Sequence, residues 1–223
     1  MKKIIKVFLL GILAGLSIGL GSFVYLACLT CDQKILGSIL FSVGLLLCCS
    51  FSLNLFTGKI GFVFENKPRY LLDLLIMYIG NIVGAAGSGS LIFLALNQSS
   101  ANGIILKAQG ITEARMITSS NWYTSLIMAF FCGILVFLAV YGWKKFDNVA
   151  LKITCLVLCV TTFVATGTEH CIANMFYFSA AGIWNGGTIL NILIVTIGNA
   201  IGSITIWAIF FAIQKLSIKT IKE

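Results

Sequence analysis

Gly80-Asn81-Ile82-Val83-Gly84 stands inside one long apolar run, and Gly198-Asn199-Ala200-Ile201-Gly202 stands inside another, 118 residues further along. A single Gly-Asn-x-x-Gly means little, because small residues let helices approach closely wherever they occur. The second copy gains weight from what lies upstream at the same offset. Asn54–Gly58 is a polar interruption of an apolar run, and moving it by 118 residues lands on Ile172–Phe176, within the polar interruption that holds Thr166, Gly167, Thr168, Glu169, His170 and Asn174.

Six segments around these motifs are long enough to cross hydrocarbon about 30 Å thick, at roughly 20 residues each. They lie near residues 5–29, 34–57, 69–96, 121–143, 151–177 and 187–213. Polar and glycine-rich stretches at membrane depth are tolerated only where broken helices meet protein or a water-filled cavity, so the second and fifth spans read as discontinuous helices. Two halves of three spans each run through the bilayer in opposite directions. The pattern predicts an all-α membrane protein built as an inverted repeat, residues 5–96 and 121–213, within a single transmembrane channel domain covering 1–223.

Composition agrees. Of 223 residues 59% are apolar and 10% charged, where a soluble domain has about 25% charged. The mean hydropathy of +1.04 excludes a typical soluble enzyme. A net charge of +8 would suit nucleic acid, but the basic residues sit between apolar runs, and a membrane face explains them better. Seven of the eight cysteines lie in or beside apolar segments, where Cys behaves as a small hydrophobe. Cys28 and Cys31 form a CxxC pair without the second pair or histidine that a metal would need, so no metal site and no cofactor is expected. Met1–Lys6 followed by apolar residues superficially resembles a signal peptide, yet no cleavage site precedes a polar chain, so it reads as the first span.

Charge bias orients the spans. Lys2, Lys3, Lys6, Lys59, Lys67, Arg69, Lys144, Lys145, Lys152, Lys215, Lys219 and Lys222 fall on one side, against Lys34, Lys107 and Arg115 on the other. This predicts a cytoplasmic-membrane protein with both termini in the cytoplasm. Ala101–Ser120 is then the longest external connection, and nothing in it suggests a separate domain.

His170 is the only histidine. An ionisable residue within a span is a functional candidate by default, and imidazole titrates near neutral pH. Glu169, adjacent to it, points elsewhere on a helix. A pore carboxylate would repel anions, so Glu169 reads as an acceptor for backbone N–H groups at the break or as a partner between protomers. Asn174, one turn beyond His170, has an amide for the histidine or for the loop. Thr57 offers a hydroxyl at the other break, where freed N–H groups attract anions, although a threonine that merely caps a helix uses the same hydroxyl.

Leu55-Phe56-Thr57-Gly58, Glu169-His170-Cys171-Ile172-Ala173-Asn174-Met175-Phe176 and the paired Gly-Asn-x-x-Gly motifs resemble the formate/nitrite transporter family over nearly the whole chain. The resemblance implies homopentamers of aquaporin-like architecture in membrane lipid. Each protomer would have its own pore for small monovalent anions such as formate, nitrite, hydrosulfide or lactate, moving with protons. It implies that His170 is the central pore histidine and Thr57 the threonine of the broken second helix. Phe41, Leu45 and Phe163 would form the outer apolar constriction, Leu55 and Phe56 the inner region, and Lys152 a lysine at the cytoplasmic start of span five. Asn81 and Asn199 would each tie a broken helix in place.

The chain departs from the family pattern at Asn54, where an acidic residue is common, and at Cys132-Gly133, where Cys-Asn is usual. It also lacks the proline common after the ANMF stretch. Gly133 predicts a less polar, roomier pore centre, which weakens the case for formate or nitrite specificity and leaves hydrosulfide open. Two other classes compete. A neutral-solute channel of aquaporin type would share the six-span plan but lacks its paired NPA motifs here. An intramembrane enzyme would need HExxH, a serine–histidine elbow or a second histidine, and none is present.

Overall fold

The computed structural model describes residues 1–98 and 102–220, with the side chains of 218–220 excepted. Lys222, the side chain of Lys219, and Ala101 of the external connection therefore lie outside the described residues. Among the described residues every regular element is helical. Four helices are long and apolar enough to cross a membrane: α1 (Lys2–Thr30), and three more at Tyr70–Leu96, Trp122–Lys145 and Gly186–Thr220. Between them the chain is broken twice, as the polar interruptions predicted.

After α1 come α2 (Lys34–Leu40) and α3 (Ser42–Ser50), then extended backbone, a single turn α4 (Phe56–Lys59) and a 3-10 segment Ile60–Glu65. α5 (Tyr70–Leu96) closes the first half. An additional helix, α6 (Gly103–Arg115), occupies the connection between the two halves and is capped by Asn102, whose Oδ1 accepts from the Ile104 N–H. α7 (Trp122–Lys145) and α8 (Val149–Ala165) follow. The second break runs to α9 (Cys171–Ala181), and α10 (Gly186–Thr220) ends the described chain. Glycine punctuates this second break for a conformational reason. Gly167 (φ 74°) ends α8 and Gly182 (φ 69°) ends α9, both in the left-handed region that disfavours other residues.

The long helices pair through their glycines. A Cβ on Gly80 would lie 2.6 Å from the Phe8 carbonyl oxygen, and one on Gly198 would lie 2.8 Å from that of Leu126. One turn on, Gly84 meets the Ile12 carbonyl and Gly202 that of Phe130. Every partner in the second set is the first plus 118, so the α1–α5 crossing recurs as α7–α10. Only glycine permits backbones this close.

Extended backbone in an apolar medium needs outside partners for its N–H and C=O groups. Asn81 supplies them at the first break. Its Oδ1 accepts from Phe56 N–H at 2.9 Å, and its Nδ2 donates to the carbonyls of Asn54 and Gly11, each at 2.8 Å. Asn199 repeats the set: Oδ1 accepts from Cys171 N–H at 2.9 Å, and Nδ2 donates to Glu169 and Ala129 at 2.8 Å. The breaks themselves therefore correspond at an offset of 115, not 118. Phe56 precedes Asn81 by 25 residues and Cys171 precedes Asn199 by 28, so three extra residues in the second half shift the register.

Candidate functional site

The two breaks bring their tips together. Leu55, extended at φ −86° and ψ 121°, precedes α4; His170, extended at φ −112° and ψ 116°, precedes α9. Thr57 Oγ1 and His170 Nε2 meet at 2.8 Å. The other ring nitrogen caps α9: Nδ1 accepts from the Ala173 N–H at 3.2 Å. A nitrogen that accepts carries no proton, so the neutral ring has its hydrogen on Nε2 and donates to Thr57. The Thr57 hydroxyl hydrogen is left to donate elsewhere. Both side chains are almost wholly buried, Thr57 at 0% and His170 at 2% exposure.

An aromatic stack flanks this pair on the side of Arg115. The Phe163 ring lies parallel to His170 at 5.9 Å, and Phe41 meets Phe163 edge-on at 5.7 Å. Phe41, Phe163 and His170 line a small cavity of about 20 Å³, room for roughly one water, together with Tyr25, Arg115 and Tyr177. A larger cavity of about 230 Å³ lies towards the lysine-rich end, lined by Leu45, Leu55, Lys59, Val140, Trp143 and Lys144 among others. No described residue lines both.

Sequence reading missed Arg115. Its guanidinium donates to Asn174 Oδ1, reaches the Thr168 carbonyl at 3.5 Å and stands 5.4 Å from the Tyr177 ring centroid. It was visible as one of three basic residues on its side, but only the fold of α6 turns it towards His170. Asn191, a buried polar residue near the start of α10, was also missed. Its Nδ2 donates to Glu169 Oε2 at 2.7 Å and to the Arg115 carbonyl at 2.9 Å.

Several residues sit differently from expectation. Glu169 accepts side-chain amides, Asn174 Nδ2 at 3.0 Å besides Asn191, whereas the N–H groups of its break go to Asn199 and His170. Asn174 also donates to Asn191 Oδ1 at 2.8 Å, so its amide serves this network and makes no hydrogen bond to the histidine. Leu45 lines the larger cavity, one turn from Phe41, which lines the smaller one. Phe56 lines neither; its ring packs on Tyr78 at 4.9 Å, in a cluster with Leu74 and Met77. Lys152 is half-buried at the start of α8 and does not line the larger cavity, whose charged residues are Lys59 and Lys144. Asn54 accepts from Lys59 Nζ at 2.5 Å and donates to the Val7 carbonyl at 3.1 Å.

Gly133 needs correction too. It belongs to a helix contact and lines neither cavity, because a Cβ there would stand 2.2 Å from the Asn199 carbonyl oxygen. Gly133→Ala is expected to force α7 from α10 and cost about 1–3 kcal/mol or more, typical of overpacking. Gly110→Ala, on α6 with nothing within 4 Å of an added Cβ, should change little. Thermal unfolding of both variants in detergent checks this.

The chain is similar over most of its length to proteins described as formate channels or transporters. It is 28% identical to the formate channel FocA of Escherichia coli strain K12, with 94% of this chain and 88% of the relative covered. It is 30% identical to a probable formate transporter of Methanothermobacter thermautotrophicus, over 80% of this chain and 73% of that protein. Its structure is similar to that of a pentameric formate channel with formate bound, at a TM-score of 0.80 and 25% identity, covering 96% and 98% of the two chains. The family model for formate/nitrite transporters matches residues 1–213, and the chain belongs to that family.

Proposed function

We propose that the protein conducts small monovalent anions of weak acids, formate and nitrite foremost and hydrosulfide as a further candidate, through a pore in each subunit of a homopentamer. The observation that carries this reading is the meeting of Thr57 Oγ1 and His170 Nε2 between two separate cavities, where an anion leaving either cavity finds hydroxyl and imidazole groups. Family membership favours anions over a neutral solute, and transport over catalysis. Pentameric assembly draws support from the similar pentameric formate channel.

The architecture read from the sequence belongs to the same proposal: six crossings, two inverted halves and an aquaporin-like plan, with both termini cytoplasmic. The repeated glycine contacts and the paired asparagine sets support it. So does the hydrogen bond of 2.7 Å between Tyr78 and Thr196, residues 118 apart. A residue that touches its own counterpart lies close to the axis relating the halves. Lys3 and Asp73 pair at 2.6 Å between the starts of α1 and α5, in keeping with those two helix starts sharing one side.

An anion entering low-dielectric surroundings loses hydration and becomes steadily more costly to hold. Arg115 offsets that cost in the outer cavity, and the apolar faces of Phe41 and Phe163 exclude strongly hydrated ions. Formate, nitrite and hydrosulfide fluxes in liposomes, with glycerol as the neutral control, test the function. Glycerol flux without anion flux would overturn it. Arg115→Gln should lower formate flux about tenfold at low concentration, equivalent to about 1.4 kcal/mol, and less at saturation. Arg115→Lys, which keeps the charge, should recover most of it.

A further inference from the structure

We propose that Lys59 and Lys144 make the cavity at the lysine-rich end a binding site for a small dianion, which lodges there and blocks the path without crossing. The cavity is about 230 Å³, far larger than the outer one. Lys59 lines it from the first break and Lys144 from the end of α7, so two lysines on different elements line one space. No Asp or Glu is among the described residues that line it. Lys59 spends one N–H on Asn54 Oδ1, which is neutral and leaves the ammonium charge uncompensated. Lys144 stands 3.6 Å from the Phe62 ring centroid, a contact that steadies an ammonium without neutralising it. Glu65, whose field reaches Lys144, takes the Trp207 Nε1–H at 2.6 Å and lies outside the lining.

Two positive charges facing one space favour a ligand with two negative charges over one with a single charge. The remaining walls include Leu45, Leu55, Val140 and Trp143, and neither Thr57 nor His170, both almost wholly buried, is among the lining residues. The cost of moving an ion into such surroundings rises with the square of its charge, so a dianion faces about four times the barrier of a monoanion. It is thus held beside the lysines and stopped at the buried meeting of Thr57 and His170. Only the blocking half of this proposal rests on the transport reading; the site itself does not.

Sulfate is the probe, because it stays doubly charged across the working pH range. Equilibrium binding of radiolabelled sulfate to the purified full-length protein, at constant ionic strength set with gluconate, reads the site without any transport. Binding should weaken at least tenfold in K59Q/K144Q and return in K59R/K144R, which also shows that the fold tolerates substitution. Formate flux into liposomes, each protein normalised to its own sulfate-free rate, should fall with sulfate in the wild type and much less in K59Q/K144Q. Sulfate binding that is undetectable in the wild type, or equal in K59Q/K144Q, overturns the site. Sulfate bound by the lysines while formate flux continues overturns the block. Sulfate bound in a protein that carries no formate defeats the transport reading and leaves the site standing.

Discussion

Asn81→Ala and Asn199→Ala are each expected to abolish anion flux and to lower the unfolding temperature sharply. Each asparagine closes three hydrogen bonds: one to the first N–H of a broken helix and two to carbonyls, one on the break and one on a neighbouring long helix. Both side chains are fully buried. Alanine leaves the N–H and the carbonyl of each break without these partners where water cannot reach, while Gly11 and Ala129 keep their bonds within α1 and α7. At about 1–3 kcal/mol for each of the two break groups, the loss is roughly 2–6 kcal/mol, a large part of the whole stability of many proteins. Asn97→Ala, at the exposed end of α5, is the control and should behave as the wild type. Unfolding in detergent and formate flux in liposomes read the outcome. Wild-type stability and flux in either buried variant would show that the breaks hold without these clamps.

The same residues show what the chain made legible. Glycine at 80, 84, 198 and 202 and asparagine at 81 and 199 recur at one spacing, because each half needs a close helix crossing and a clamp. Polar residues at membrane depth marked both breaks, because such residues persist in hydrocarbon only with partners. The register between breaks was not legible, since helix lengths between clamp and break differ by three residues and nothing local records that. Arg115 was not legible as a site residue because its partners, Asn174 and Tyr177, lie about 60 residues away and meet it only once α6 folds back. Gly133 was misread for a related reason. Its side of α7 is fixed by the α10 contact, which sequence spacing alone does not orient. Once the offset of 115 is applied, Leu55 and His170 become counterparts, each preceding the turn its asparagine holds. The meeting of the two breaks is therefore asymmetric, with Leu55 lining the larger cavity and His170 the smaller.

That asymmetry focuses the second large effect on His170. The ring makes two hydrogen bonds with different work: Nδ1 caps α9 by accepting from Ala173, and Nε2–H reaches Thr57. His170→Asn keeps both roles, since an asparagine oxygen caps a helix well and its NH₂ still donates. What it removes is the second proton. A proton added to the wild-type ring enters at Nδ1, where it displaces the Ala173 N–H, so charging the imidazole and loosening the start of α9 are one event. In the proposed mechanism an anion arriving beside the ring favours that event by pairing with it, and a weak-acid anion that takes the proton crosses as the neutral acid, leaving the ring neutral again. H170N should therefore fold and assemble as the wild type does but lose the pH dependence that imidazole adds. A titrating group changes its minor form about tenfold per pH unit away from its midpoint, so the difference is measurable across pH 5 to 8. Formate flux at pH 5, 6, 7 and 8, with equal amounts of folded protein in each liposome, gives the two profiles. His170→Leu, which has no acceptor for the Ala173 N–H and no donor for Thr57, should fail at folding instead. Identical pH profiles for the wild type and H170N would leave the histidine a cap and a hydrogen-bond donor, with proton exchange carried by the weak acid alone.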